Sequence, residues 1–501
     1  MAGLRISGRR AVVARAALLA LLTAPAQAAA QSAAHDPPPP APTLAAPGTG
    51  VLLAAAASAP KPVTPAGEDD RACPACPPRR PLRAVGEVFA INLVYQGVNL
   101  AFKPPEERVY YATYPKTWWN NVRRGLEWDD NSFMINQWGH PYQGSTYFSA
   151  GRSNGLGFWE SASLAVLGAA AWEYLGERHT PSLNDLVMTS LGGIALGEVF
   201  HRSASLLRDT TDTGKSRFWR EIAAGVIDPV SAINRFIDRD ALRVAEQPAA
   251  FAPTALAASF DAGLLWRGEN LSFLDAAGEP FLQANVRYGA MAEGRSTTPF
   301  DAFFVSLRLG GGGGPISEVR GRGRLLGLPV TGHAARHSGH SLHASALMGY
   351  DYDNNSAYQF GGQDFEGALT HEWRVDSRWR LVTTASGGVL VLGAIDSVYD
   401  SAAGRNYDFG SGLSYGAGVM LIRGHQPFLR ADYRSFWLHS LDGADADHWT
   451  QNVRVDLILP VKGRVGLGAT GEFIRRRTYY EQLPDVLQRF PQVRAYLSWM
   501  Y

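Results

Sequence analysis

The chain has 501 residues and a formal net charge of +1, which gives no reason to expect nucleic acid as a partner. Its 2 cysteines are too few for a disulfide framework that would hold the fold together. The 53 glycines, 22 phenylalanines, 19 tyrosines and 13 tryptophans are typical of a β-barrel with glycine turns and aromatic girdles.

Residues 1–28 have the pattern of a secretory signal peptide. Arginines at positions 5, 9, 10 and 15 are followed by the apolar run "AALLALL" and the small-residue sequence "TAPAQA". The apolar run is too short to cross a bilayer as a stable helix. We therefore expect cleavage near Ala28 and general secretion, because the residues after the arginine pair match the twin-arginine export signal poorly.

Residues 29–83 are dominated by alanine and proline, as in "PPPPAPTLAAPGTG". Such a segment buries little apolar surface, so it predicts a flexible or semi-extended tether. The tether contains Cys73-Pro-Ala-Cys76, a spacing found in redox pairs. No strand–helix pattern surrounds it and no histidine follows for haem attachment, which favours a local disulfide or inert thiols.

Residues 84–245 have helical periodicity and predict a helical domain. Two apolar segments, 158–177 and 182–207, are each interrupted by carboxylates, which are costly inside a membrane. We therefore expect buried helices in the periplasm or against the barrel mouth. Ser182 and Asp185 form an S-x-x-D start, so Ser182 is expected to cap the second segment.

Residues 250–501 alternate between apolar and polar side chains with a period of two. In "DFEGALTHEWRV", Asp364, Glu366 and Thr370 share one face while Phe365 and Leu369 share the other. The last nine residues, "VRAYLSWMY", have the same alternation and end on an aromatic residue. The pattern predicts about twelve antiparallel strands in an outer-membrane barrel with charged residues inside, and a soluble β-sandwich is the alternative.

The residues "GHPYQGSTYFSAGRSNG", "WEYLGE", "PSLNDLVMTSLGGIALGE" and "HRSASLLRD" resemble a bacterial family described only as domain of unknown function 3943. The family occurs in exported proteins of Gram-negative bacteria, and the resemblance covers about residues 131–240. No activity is established for this family. The resemblance therefore implies no catalytic residues, and the barrel prediction depends on the strand pattern alone.

The stretch from Gly139 to Gly155 contains the first candidate site. His140 could act as a general base, with Ser153 as nucleophile and Arg152 binding an anion, if the chain folds back on itself. The other interpretation is an irregular turn whose polar side chains satisfy buried backbone groups.

Four carboxylates in the two apolar segments form the second candidate. If the segments are an antiparallel pair, Glu173 approaches Asp185 at one end, and Glu160 approaches Glu198 at the other. Buried carboxylates need counter-ions. The nearest candidates in sequence are His140, Arg152, Arg178 and Arg202. A polar cluster that fixes the helix register is favoured over a hydrolytic pair.

Two further patterns are weaker. Glu198 and His201 have the E-x-x-H spacing of di-iron helix bundles, but the sequence holds a single copy, so no metal site is predicted there. His343 and Ser345 share a strand face and superficially resemble the His/Ser pairs of outer-membrane phospholipases, in which these residues lie on the outer face. No cofactor is predicted.

The combined interpretation is an α+β protein of the outer membrane, with its helical domain in the periplasm or in the barrel lumen. We expect a structural or interaction role in which the helical domain docks on the barrel or plugs it. A hydrolase or transferase acting on envelope lipid, centred on residues 140–153, and a passive channel are the alternatives. Expected partners are outer-membrane lipid, the barrel-assembly machinery and an envelope protein or lipid.

Overall fold

A computed structural model describes residues 77–245 and 253–501, apart from 269–277, 293, 313, 332–338, 356–357, 400–404 and 425. The predicted signal peptide, most of the predicted tether and the Cys73–Cys76 pair lie outside the described residues. The chain divides into two compact units, a helical unit that ends at Ala252 and a barrel unit that begins at Pro253.

The first described helix of the helical unit begins at Pro81, and its α-helices are linked by short turns, three of which are π-helical. Proline at the first position of several helices suits the helix start, because its fixed φ is helical and its missing N–H has no partner there. The helices are α1 (Pro81–Phe102), α2 (Pro105–Tyr111), α3 (Pro115–Arg124), α4 (His140–Ser153), α5 (Phe158–Ala171), α6 (Leu183–Val187), α7 (Gly193–Leu207), α8 (Gly214–Ile227) and α9 (Pro229–Ile237). The π-helical turns are Ile135–Gly139, Trp172–Gly176 and Met188–Gly192.

The segment from His140 to Ser153 is helix α4, so the expectation of an irregular turn was wrong. Nearly all of its side chains are buried, and its apolar residues pack with α1, α5 and α9 in one core. Helix propensity disfavours this glycine- and serine-rich sequence, but burial on every side overrides that weak preference. The stretch is the central helix of the unit.

Glycines let the backbone of α4 approach its neighbours. A Cβ added to Gly144 would lie 1.8 Å from the carbonyl oxygen of Thr189 and 2.9 Å from the Cα of Gly193. A Cβ added to Gly151 would lie 2.5 Å from the hydroxyl of Ser161 on α5. The two predicted apolar segments therefore pack on α4 through backbone contact that only glycine permits.

Within the described ranges, Pro81–Phe102 is the one helix that is long and apolar enough to cross a membrane by length and composition.

The barrel unit contains twelve strands, as the alternation predicted. The strands are β1 (Leu256–Arg267), β2 (Glu279–Tyr288), β3 (Phe303–Gly310), β4 (Ile316–Pro329), β5 (His340–Asn354), β6 (Gln359–Arg374), β7 (Trp379–Asp396), β8 (Tyr407–Arg423), β9 (Gln426–Asp442), β10 (Ala446–Lys462), β11 (Val465–Tyr480) and β12 (Val486–Met500).

Each strand pairs in antiparallel fashion with its neighbours in sequence, and β1 pairs with β12 to close the barrel. The closing register places Phe260 opposite Trp499 and Leu264 opposite Ala495. The aromatic-rich terminal segment therefore forms the strand that seals the barrel, and the α+β fold class is confirmed.

The two faces of the barrel wall differ in chemistry. On β6, Phe365 and Leu369 are exposed on the outside, whereas Asp364, Glu366 and Thr370 are buried inside. Other strands also expose apolar side chains on the outer surface: Leu282, Val389, Leu413, Val453, Leu467 and Val493. An apolar outer belt around an ionic interior is the arrangement of an outer-membrane barrel, which rules out the β-sandwich alternative.

We predict that Gly144→Ala destabilises the helical unit by about 1–3 kcal/mol or more, because the new Cβ meets backbone atoms that cannot rotate away. Thermal unfolding of the full chain, followed by its helical circular dichroism, measures this change.

Gly97→Ala on α1 is the matched control, since a Cβ there meets nothing within 4 Å. It should leave the unfolding temperature unchanged or raise it slightly, because alanine favours helix by about 0.5–1 kcal/mol over glycine. Equal unfolding temperatures for Gly144→Ala and the wild type would contradict the close packing of Gly144 against the backbone of Thr189 and Gly193.

Candidate functional site

His140, Glu173 and Asp185 form a buried cluster in the helical unit. His140 begins α4, Glu173 lies in the π-helical turn after α5, and Asp185 lies in the first turn of α6. Their nitrogen and oxygen ligand atoms all lie within 4.8 Å of one another. The predicted approach of Glu173 to Asp185 is confirmed, and His140 joins them with its Nε2 3.5 Å from Asp185 Oδ1.

Hydrogen bonds from neighbouring groups hold the cluster in position. The Ser182 backbone N–H donates to Glu173 Oε2 at 2.7 Å, and His140 Nδ1 is hydrogen-bonded to Thr189 Oγ1 at 3.1 Å. Ser182 also caps α6 as predicted, since its Oγ accepts from the Asp185 N–H at 3.2 Å. Thr189 was missed by the sequence analysis, because nothing in its sequence neighbourhood marks it as a histidine partner.

The electrostatics of this cluster are dominated by burial and by negative charge. Burial raises the pKa of Glu173 well above its usual range, and the charges of Glu177 and Asp185 raise it further. Burial and the charges of Asp129 and Glu177 likewise raise the pKa of Asp185. Burial also raises the pKa of Glu177 to about 8 and lowers the pKa of His140 to about 4. Burial and mutual repulsion thus both favour the protonated forms of the carboxyl groups over the ionised forms.

A second buried carboxylate, Glu198 on α7, is compensated by guanidinium groups. Its oxygens lie 3.0 Å from Arg152 Nε and 2.7 Å from Arg202 Nε. Burial acts to raise the pKa of Glu198, but Arg152 and Arg202 outweigh it and hold the pKa below its usual value. Two predicted counter-ions thus pair with Glu198. Of the other two, His140 lies beside Asp185, whereas Arg178 donates to the backbone carbonyl of Ala112 at 2.7 Å.

His201 lies beside Asp228 rather than in a metal site with Glu198. His201 Nδ1 is 3.6 Å from Asp228 Oδ2, and Asp228 Oδ1 accepts from Ser149 Oγ at 2.5 Å and from the Ser231 N–H at 3.1 Å. Because Glu198 is occupied by two arginines, the E-x-x-H pair does not form a ligand set.

The structure does not bring Ser153 to His140. The two residues lie at opposite ends of α4, a separation of roughly 20 Å at 1.5 Å per residue. Ser153 Oγ donates to the Ser149 carbonyl at 2.7 Å and accepts from Asn234 Nδ2 at 2.8 Å. The prediction that His140 acts as a base for a Ser153 nucleophile was therefore wrong.

The expected approach of Glu160 to Glu198 was also wrong. Glu160 is exposed and pairs with Arg79 at 2.6 Å, whereas Glu198 is fully buried. Gly157 provides the reason, because its N–H donates to Glu160 Oε2 at 2.9 Å and holds the side chain at the start of α5.

Inside the barrel, arginine and carboxylate side chains form a network that spans the lumen. Glu318 on β4 lies 2.9 Å from Arg308 Nη2 on β3 and 2.7 Å from Arg454 Nη2 on β10. Arg320 on β4 reaches Glu472 on β11 at 3.1 Å. A neighbouring group joins Arg322 and Arg434 to carboxylates on β5 and β6: Asp351, Asp364 and Glu366.

An aromatic and aliphatic cluster lies beside this network. The rings of Phe360 on β6 and Phe436 on β9 are 4.5 Å apart, and Tyr358 approaches Phe490 on β12 at 6.5 Å. The other buried members are Leu390, Ile395, Leu438 and Ile474. The inner face thus contains an apolar layer that the sequence analysis missed, because these residues interrupt the regular alternation.

His343 and Ser345 face the interior of the barrel, since both side chains are buried. The suggested likeness to the His/Ser pairs of outer-membrane phospholipases was therefore wrong, because those residues lie on the outer face.

Together these features define the class of protein: a closed outer-membrane-type barrel of twelve strands preceded by a compact helical unit. Residues 125–230 match the family profile described as "Domain of unknown function (DUF3943)", which confirms the resemblance seen in the sequence. No curated protein matches the chain.

Solved structures similar to this chain include a deletion mutant of the monoaromatic hydrocarbon channel TodX, at 11% identity and a TM-score of 0.21, covering 50% of this chain and 91% of that one. OmpT, an outer membrane protein of Vibrio cholerae, has 9% identity and a TM-score of 0.21, covering 49% and 97%. An anion-selective porin from Comamonas acidovorans has 8% identity and a TM-score of 0.19, covering 49% and 99%.

We predict that the free energy of unfolding of the helical unit falls as the pH rises from 6.5 to 8.5. Glu173, Asp185 and Glu177 have raised pKa values, so the folded state binds more protons than the unfolded state and loses stability as the pH rises. The lowered pKa of His140 has the opposite effect, but only between about pH 4 and 6.5. Melting temperatures of the metal-free full chain across this range measure the change.

Glu173→Gln should reduce this loss of stability, because the amide has no proton to release. Glu160→Gln, at an exposed position, is the control and should leave the pH dependence unchanged. A melting temperature that stays constant or rises between pH 6.5 and 8.5 in the wild type would contradict the prediction.

We predict that Glu318→Gln destabilises the barrel by about 3–5 kcal/mol, because it leaves buried guanidinium groups without their shared carboxylate. Denaturant titration in detergent, with heat-modifiable mobility on gels as the readout, measures the loss.

Arg374→Gln is the control for this variant. The Arg374 side chain is 64% exposed and 3.7 Å from Glu372, so its loss should cost about 0–1 kcal/mol. Equal midpoints for the two variants would show that the lumen network contributes nothing to stability.

Proposed function

We propose that this protein is an outer-membrane anchor of structural or interaction type, with a barrel closed by its own side chains. The supporting observation is contact between opposite walls of the lumen. In a ring of twelve strands, strands six positions apart face each other, and Arg454 on β10 reaches Glu318 on β4 in this way at 2.7 Å. A lumen that is crossed by bonded side chains leaves little room for a solute path.

Two other contacts between opposite walls support the same proposal. Arg287 Nη1 on β2 lies 2.6 Å from the Met420 sulfur on β8. The Arg430 guanidinium on β9 lies 4.7 Å from the ring centre of Phe304 on β3. These two contacts share one level of the barrel, since Arg287 pairs with Phe304 and Met420 pairs with Arg430 in the sheet. The contact of Arg454 with Glu318 lies at another level, and closure at two levels favours an anchor over the passive channel.

The helical unit supplies the interaction part of the proposed function. It carries exposed aromatic side chains that its own core leaves uncovered, among them Trp119, Trp159 and Phe236. Large exposed aromatic residues are enriched at sites of protein contact. The proposed role is to dock on an envelope partner or on the barrel itself, while the barrel holds the chain in the outer membrane.

We predict that the full-length protein in planar bilayers shows no steady open-channel conductance. The double variant Glu318→Ser with Arg454→Ser removes one bond across the lumen without changing the net charge, so it should increase ion conductance measurably. The double variant Glu372→Ser with Arg374→Ser, which removes a more exposed pair, is the control and should remain silent.

Steady conductance of the wild type would overturn the proposal in favour of the passive channel. A double variant at positions 318 and 454 as silent as the wild type would contradict closure by these side chains.

A further inference from the structure

The His140–Glu173–Asp185 cluster brings together one imidazole and two carboxylates, the side chains that bind divalent transition metals. The three residues come from separate segments of the helical unit and are all buried, at 7%, 1% and 2% exposure. Such convergence of three ligand groups within 4.8 Å needs a physical explanation, because like-charged carboxylates repel each other when they are removed from water.

The distance between His140 Nε2 and Asp185 Oδ1 fits two ligands of one ion better than a direct ion pair. At 3.5 Å it is long for a charge-assisted hydrogen bond, which is about 2.7–2.9 Å. Two ligands bound tetrahedrally at about 2.1 Å from one metal ion lie about 3.4 Å apart. Nε2 therefore points into the cluster at the separation that a shared cation would impose.

The groups behind the ligands have the arrangement of a supported metal site. Thr189 Oγ1 is bonded to His140 Nδ1 at 3.1 Å, so Nε2 remains directed at the carboxylates. The Ser182 N–H holds one oxygen of Glu173, and Asn184 Nδ2 donates to Asp185 Oδ1 at 2.8 Å. Such bonds fix the orientation and charge of ligands, and their role resembles that of the partners found behind metal-bound residues.

The comparison with Glu198 separates this cluster from ordinary charge burial. Glu198, in the same unit, is paired with Arg152 and Arg202. Among the residues that the structure describes, neither Glu173 nor Asp185 forms an ion pair with an arginine or lysine. The helical unit thus contains two buried carboxylate sites. Guanidinium groups neutralise Glu198, whereas Glu173 and Asp185 have no arginine or lysine partner among the described residues.

We propose that His140, Glu173 and Asp185 bind a divalent transition-metal cation, which joins α4, the turn after α5 and the start of α6. The charge of the two carboxylates matches that of the ion. Two more carboxyl groups lie near the cluster, Glu177 directly after the turn that carries Glu173 and Asp129 in the segment before α4, and both favour a cation when they are ionised. The role of the ion is structural, because it fixes three segments against one another.

The test uses the full chain in detergent after dialysis against a chelator, with Zn²⁺ and Mn²⁺ as the added probes. At a hundredfold excess of either ion over its Kd, the melting temperature of the helical unit should rise by about 5–10 °C. Metal binding releases protons from the ligands, so the rise in melting temperature should be larger at pH 8 than at pH 6.5.

Asp185→Asn, which keeps the shape of the side chain, should weaken binding about a hundredfold or more and so abolish most of the shift at the same ion concentration. The double variant Cys73→Ser with Cys76→Ser is the control, because it removes both cysteines of the chain, a residue type that binds zinc as thiolate, and it should keep the full shift. Should Asp185→Asn fail to fold, the metal content of the purified wild type decides, with about one tightly held ion per chain expected.

The proposal is overturned if neither ion changes the melting temperature. A shift that persists in Asp185→Asn, or one that disappears in the cysteine variant, would also overturn it, since the ion would then bind elsewhere.

Discussion

The Glu318 carboxylate lies against the guanidinium groups of Arg308 and Arg454 inside a wall whose outer surface is apolar. Lipid on the outside requires apolar side chains there, so the alternation of the strands sends every other residue inward. Charged residues in that interior are stable only when each has partners of opposite sign. The barrel meets this requirement with bonds between neighbouring strands and with bonds that cross the lumen to the opposite side.

The helical unit meets the same electrostatic requirement in two ways. Near the C-terminal end of α4, Glu198 is neutralised by Arg152 and Arg202. At the other end, His140 faces Glu173 and Asp185, and protons or a bound cation must offset the negative charge. Both clusters depend on the close packing of α4 at Gly144 and Gly151, which brings the carboxylates of neighbouring segments within reach.

The strand pattern was predictable because apolar and polar residues alternate within each strand. On β6, for example, exposed Leu369 is followed directly by buried Thr370. The approach of Glu173 to Asp185 was also predictable, since a short connection between two helices places their adjoining ends together. The bond from Arg454 to Glu318 was not predictable, because it joins residues 136 positions apart. Helix α4 was missed because its glycines and serines signal a turn, while the burial that makes it helical depends on distant segments.

The pairing of β1 with β12 has a consequence for how the barrel is completed. All other strand pairs are hairpin neighbours, so they can zip up progressively with little loss of chain entropy. The seam alone joins distant parts of the chain, and until it forms the sheet has two open edges that can recruit another chain. The choice between a closed barrel and an open sheet therefore depends on one step, the pairing of β1 with β12. A folding catalyst would have its greatest effect at that step.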